Sequence, residues 1–228
     1  MDNWQHIWNR DERLNNIILD CLIRADGFDT SAGSFTVTNW LEYVGELTKK
    51  INLNNFDTVF DVGCGSGAFL FPLSMNNHEV GGVDYSKPLI DLASIFFKSD
   101  AFIVNEAINI DIKKAFDVVI SHSVFHYFKD LEYAREVVIS MIQKSKRKVA
   151  FLDINDKSKE DKYHQIRMKG MNKEEYKQKY NGLNHMFYHK GWFENIAQEF
   201  NLKCEIFDQD FSDYGNSTLR FNVIMTKL

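Results

Sequence analysis

Little in this chain interrupts regular structure, for it has two prolines, Pro72 and Pro88, in 228 residues. Its three cysteines, Cys21, Cys64 and Cys204, form no C-x-x-C pair. Their odd number and spacing argue against a disulfide framework or a cysteine zinc site, and point to a reducing cytosol. No apolar run approaches the roughly 20 residues of a membrane span. Asp2, Arg10, Asp11, Glu12 and Arg13 interrupt any apolar leader near the start, so a cytoplasmic chain without a signal peptide is expected. Positive charge is not in excess. The formal net charge is −5, which gives no sign of a general nucleic-acid binder. With no internal repeat, low-complexity tract or linker, one domain is expected.

What is present is an ordinary globular mixture, 44% hydrophobic and 26% charged. Residues 1–55 read as an aromatic helical cover, with Leu14, Ile17, Ile18, Cys21 and Leu22 at one helical period and Trp40, Leu41, Val44 and Leu47 at another. From residue 56 to 228, strand and helix patterns alternate, which predicts an α/β domain with a Rossmann-like, seven-stranded, mostly parallel sheet. The expected strands are Thr58–Val62, Glu79–Asp84, Ala101–Asn105, Asp117–Ser121, Lys148–Asp153, Lys203–Phe207 and Arg220–Thr226. The polar, turn-rich residues 208–219 are too short for a parallel crossover, so the last two strands are expected to form an antiparallel hairpin. Ser86 and Asp130 are placed to cap helices, and Pro72 requires the helix after the first strand to start late or bend. Residues 157–190 interrupt the alternation with nine Lys or Arg against four Asp or Glu. They read as a helical insertion, either solvated or serving as a lid over an acceptor.

The chemistry is concentrated in Asp61-Val62-Gly63-Cys64-Gly65-Ser66-Gly67, where a strand ends in a carboxylate and runs into three alternate glycines. Such a turn brings backbone close to a ligand. Gly63, Gly65 and Ala68 fit a dinucleotide fingerprint, with Asp84 placed to bind ribose hydroxyls, so an NAD(P)-dependent oxidoreductase is one reading. Asp61 opposes it, because a carboxylate beside the first glycine repels a diphosphate. It suits S-adenosylmethionine, which carries an ammonium and a sulfonium and whose own carboxylate can take loop N–H groups. A turn used only for packing is the bland alternative.

At these residues the chain resembles the class I S-adenosylmethionine-dependent methyltransferases, with the motifs falling in order from residue 56 to 153. The glycine turn matches that family's cofactor loop and Val83-Asp84-Tyr85-Ser86 its ribose-binding strand end. Glu106-Ala107 stands where the family places an acid near the adenine, and Phe116–Ile120 resembles its fourth strand. The resemblance implies S-adenosylmethionine as cofactor, with S-adenosylhomocysteine as product. It implies contacts from Asp61, Gly63, Cys64, Gly65, Gly67, Asp84, Tyr85, Ser86, Glu106, Ala107, Ser121 and His122. Trp4, Trp8, Asp26-Gly27-Phe28-Asp29, Gly182-Leu183-Asn184-His185 and Arg220-Phe221-Asn222-Val223 further resemble enzymes of bacterial capsule and lipopolysaccharide gene clusters. That subgroup implies O-methylation of a small acceptor, nucleotide-linked or carrying a phosphoryl or phosphoramidate group.

Where the family usually has two histidines after strand four, this chain has His126-Tyr127. His126 is the first candidate for a general base and His122 the second, with Tyr127 placed to orient an acceptor. Asp153, Arg167, His185, Tyr188 and Arg220 are the acceptor-binding candidates. The i, i+4 pairs His122/His126 and His185/His189 have metal-like spacing but no matching carboxylates, so no metal is expected. A non-catalytic adenosine-ligand module remains the other alternative.

Overall fold

A computed structural model of the chain describes residues 10–29, 34–97, 100–170, 172, 174–175, 178 and 184–228. Trp4, Trp8, Gly182 and Leu183 lie outside the described residues. Seven strands form at the expected places: β1 (Val59–Val62), β2 (Val80–Asp84), β3 (Phe102–Val104), β4 (Phe116–His122), β5 (Ser145–Asn155), β6 (Leu202–Asp208) and β7 (Arg220–Lys227). Their order in the sheet is β3-β2-β1-β4-β5-β7-β6. Strands β1 to β5 pair in parallel, while β7 runs antiparallel to both β5 and β6. The C-terminal hairpin therefore inserts its second strand into the sheet and leaves β6 at the edge.

Alternation along the strands sends side chains to two cores. Val59, Val118, Ile120, Ala150 and Leu152 face one, together with Leu19, Leu22, Trp40, Tyr43 and Leu47 from helices α1 (Arg10–Ala25) and α2 (Val37–Ile51). The N-terminal helices are thus part of the core on that face. Short helix α3 (Leu70–Met75) and α4 (Lys87–Phe96) join them. Phe60, Val62, Val119, Val149 and Phe151 face the other core, under α5 (Leu131–Lys144) and α7 (Lys190–Glu199).

Local chemistry sets the element ends. Thr36 caps α2 by accepting from the Asn39 N–H at 3.2 Å, and Asp130 caps α5 by accepting from Tyr133 N–H at 2.7 Å. Helix α3 starts only at Leu70, which leaves Pro72 in the first turn where its missing N–H costs nothing. Ser86 stands at the start of α4, yet its hydroxyl caps no N–H. The insertion contains helix α6 (Glu160–Arg167), and a stretch over 184–189 returns to the sheet through Tyr188, which bridges Asp156.

Beta strand β5 is longer than the sequence pattern suggests, and its register against β7 shifts between Phe151 and Ile154. Asp153 sits in this irregularity with φ +60, a left-handed conformation that costs on the order of 1–3 kcal/mol for a non-glycine residue. Asn222 holds it there by accepting from the Asp153 N–H at 2.9 Å. Such bulges commonly re-aim side chains beside a binding site.

Candidate active site

A cleft of about 990 Å³ opens at the carboxyl ends of β1, β2 and β4, at the upper end of the size range of small-molecule sites. It is where open α/β sheets bind ligands. Two groups of side chains line it, each bonded within itself.

The first group surrounds the glycine turn. Gly63 has φ +81, and a Cβ there would lie 2.4 Å from a Val124 methyl carbon. Gly65 has φ +55, and a Cβ there would lie 2.5 Å from Asp26 Oδ1. Both positions therefore require glycine. Gly67 instead packs on Phe97, away from the cleft lining. Asp84 accepts from Gly65 N–H at 2.9 Å with one oxygen and from Ser86 N–H at 2.8 Å with the other. Asp26 comes from the end of the N-terminal cover. It accepts from Ser66 N–H at 2.7 Å and from Ala68 N–H at 3.4 Å. The cover is fastened further where Trp40 Nε1 donates to Ala68 O at 3.0 Å and Ser66 Oγ donates to Leu22 O at 3.1 Å. Sequence reasoning quoted Asp26 only within the Asp26–Asp29 loop resemblance and did not place it at the site.

Asp61 is 2% exposed, and its Oδ1 has no hydrogen-bond partner. Burial, followed by the charges of Asp84 and Asp26, pushes its carboxyl well above the usual range. Burial likewise raises Asp26, to about 6. A buried orphan oxygen among like charges is a poor neighbour for a diphosphate and a good one for a cation. Cys64 lines the same wall, and burial raises its thiol, so it is not a reactive thiolate. Tyr85, Ser86, Glu106 and Ala107 complete this side, with Glu106 accepting from Tyr133 Oη at 3.3 Å.

The second group contains His126, Tyr127, Tyr163, Arg167, His185 and Arg220. Arg220 starts β7, beside the Asp153 bulge, and its NH1 donates to His126 Nδ1 at 3.2 Å and to Asp153 O at 3.3 Å. Arg167 NH1 donates to Tyr163 Oη, which itself lies 2.6 Å from His185 Nδ1. Burial lowers both imidazoles, His185 to about 4 and His126 well below its ordinary value, and the Arg220 guanidinium adds to the effect on each. His122, at the end of β4, is lowered to about 4 by burial. Its Nε2 lies 3.0 Å from Tyr43 Oη, which in turn accepts from Gln209 Nε2 at 2.8 Å.

These contacts change the roles expected of several residues. His126 Nδ1 already takes a proton donor, so its own proton is on Nε2 and no free lone pair remains for a base. His122 has its Nε2 engaged by the Tyr43 hydroxyl. Ser121 is fully buried, donates to Val62 O at 2.8 Å and does not line the cleft. Tyr188 is fully buried and donates to Phe125 O at 2.8 Å, bracing the turn that carries His126. Asp153 lies behind the lining, where its Oδ2 accepts from Ser123 Oγ at 2.8 Å and Tyr214 Oη at 2.9 Å. It positions Arg220 rather than meeting a ligand directly. Among the described residues, no three His, Cys, Asp or Glu side chains converge as a metal site requires.

The strand order and the cleft define a Rossmann-like domain whose glycine turn is walled by the carboxyl groups of Asp26, Asp61 and Asp84. A family described as methyltransferase domain matches residues 60–150. Solved structures share the fold. The PH0226 protein of Pyrococcus horikoshii is 20% identical with a TM-score of 0.65, the match covering 90% of this chain and 98% of that one. An S-adenosylmethionine-dependent methyltransferase from Clostridium acetobutylicum is 17% identical with a TM-score of 0.59, covering 96% and 99%. The magnesium protoporphyrin IX methyltransferase of Synechocystis, solved with bound S-adenosylmethionine, is 13% identical with a TM-score of 0.59, covering 94% and 97%. No curated protein sequence matches the chain. Residues 60–150 therefore match a methyltransferase domain, set within a Rossmann-like fold that these solved structures share.

Proposed function

We propose that this protein methylates an oxygen of a small polar acceptor during bacterial surface-polysaccharide synthesis in the cytoplasm, the acceptor being a nucleotide-linked sugar or a phosphoryl or phosphoramidate group. The observation that carries the reading is the division of the cleft into an acidic group around the glycine turn and a separate polar group around His126 and Arg220. The first suits the cofactor. Asp61 and Asp26 would face its cationic amino-acid tail, Asp84 its ribose hydroxyls and Glu106 with Ala107 its adenine. When bound, S-adenosylmethionine supplies a methyl carbon on a good leaving group, a sulfonium that departs as a neutral thioether. The chain's remaining task is to align the acceptor and exclude water. The second group supplies the alignment. The polysaccharide assignment is supported by the resemblance at Asp26–Asp29 and Arg220–Val223.

Calorimetry with S-adenosylhomocysteine and with NAD tests the cofactor half. Tight binding of the first and none of the second is expected, and the reverse would overturn the reading. Mass spectrometry of nucleotide-sugar and sugar-phosphate panels incubated with the full chain tests the acceptor half. A gain of one methyl on a member of the panel is expected, whereas turnover confined to proteins or nucleic acids would refute it.

A further inference from the structure

The acceptor corner can be read from its hydrogen-bond inventory. An arginine only donates. Arg220 NH1 therefore fixes His126 Nδ1 as the acceptor and leaves that ring's proton on Nε2. Tyr163 Oη accepts from Arg167 and shares a 2.6 Å hydrogen bond with His185 Nδ1. The two rings lie together, with centroids 4.8 Å apart, and the Tyr127 ring lies 4.0 Å from His126 and 5.2 Å from His185.

Two guanidiniums, the Nε2–H of His126 and the His185 ring thus line one corner. The carboxylates that line the cleft are elsewhere: Asp26, Asp61 and Asp84 at the glycine turn, and Glu106 against Tyr133. Asp153 is the acid nearest to Arg220. It neutralises that guanidinium incompletely, since Arg220 Nε stands 3.8 Å from Asp153 Oδ1, and each of these buried atoms lacks a hydrogen-bond partner. Arg220 itself is 6% exposed. A buried, donor-rich corner holding an Arg220 Nε–H without a partner recognises a ligand that brings oxygens and negative charge.

We infer that the acceptor carries an oxyanion, phosphoryl or carboxylate, held by Arg220 and Arg167 with the Nε2–H group of His126, and that this ionised group takes the methyl without a general base. The inference rests on the methyltransferase reading and deepens it. An oxygen that is already ionised forms its bond to carbon with its own lone pair. The oxyanion and sulfonium charges cancel in the products, and no proton is released. A sugar hydroxyl would instead need a free imidazole lone pair, which His126, with Nδ1 taken by Arg220, does not offer. His126 is accordingly a donor to the acceptor.

The test is equilibrium binding to the full chain saturated with S-adenosylhomocysteine, using glucose 1-phosphate, glucuronate and glucose as probes. Either anion is expected to bind at least about tenfold tighter than glucose, and the tighter of the two identifies the source of the oxyanion. Arg167→Gln, at the end of a short exposed helix, is expected to remove about tenfold of that preference and leave S-adenosylhomocysteine affinity unchanged. Arg220→Lys retains the charge but loses the fork, and is expected to weaken both anions. Equal binding of glucose and the anions, or an unchanged preference in Arg167→Gln, overturns the inference while the methyltransferase reading stands. Failure of S-adenosylhomocysteine to bind wild-type protein overturns both. Should the variants not fold, the wild-type ranking of the three probes still decides.

Discussion

Replacing Asp26 with Asn is expected to stabilise the ligand-free protein at neutral pH and to weaken its response to cofactor. The carboxyl of Asp26 is raised from 3.8 to about 6, chiefly by burial, while its bonds to Ser66 and Ala68 N–H pull it down. A raised acid favours the folded state only while protonated. Below about pH 4 the group is neutral in both states and has no effect. Between about pH 4 and pH 6 the unfolded chain ionises first, and folding stability falls. Above about pH 6 the full loss is present, roughly 3 kcal/mol for a displacement of this size. Asn lacks the charge and escapes that loss. It keeps one oxygen for Ser66 N–H, but its amide nitrogen cannot accept the long 3.4 Å contact from Ala68 N–H. Allowing about 1 kcal/mol for that contact leaves a net gain of about 2 kcal/mol at pH 7.5 and a net loss of up to about 1 kcal/mol at pH 4. Urea denaturation of both proteins at the two pH values measures this. Repeating it with saturating S-adenosylhomocysteine should show a smaller ligand-induced gain in the variant, since an anion facing the ligand's ammonium is gone. A pH-independent difference, or an equal ligand-induced gain in both proteins, would refute the reasoning.

Asp84→Ala should weaken S-adenosylhomocysteine binding by about 1.5–3 kcal/mol through lost contacts to a charged acceptor, and should free the Gly65 and Ser86 N–H groups that now hold the turn. Calorimetry showing unchanged affinity would contradict it. Tyr43→Phe should lower stability by about 1–3 kcal/mol, because it strands Gln209 Nε2 and His122 Nε2 inside the core. A melting temperature matching wild type would count against the network drawn around His122.

The sheet was largely legible because each strand is a short apolar run bounded by turn residues, and because Pro72 limits where α3 begins. The acidic side of the cleft was legible in part. Asp61 and Asp84 stand at strand ends, where sequence position fixes which edge they occupy. Asp26 was not, since it reaches the glycine turn only through the packing of α1 and α2 on the sheet. Ser121 and His122 are adjacent on β4 and were both assigned to the cofactor, yet only His122 lines the cleft. The period of two along a strand sends neighbours to opposite sides, and the sequence does not say which side is open. The role of His126 was the hardest to read. It depends on which nitrogen meets Arg220, a residue 94 positions away that arrives because β7 inserts beside β5.

The chain takes the parts of its two ligand clusters from different places. The turn that suits the donor belongs to the sheet itself. By contrast Arg167 and His185 come from the stretch between β5 and α7, whose described residues meet the framework through bonds such as Met186 N–H to His126 O. If the proposed function holds, substitutions at Arg167 and His185 would alter what the second cluster recognises and leave the glycine turn untouched.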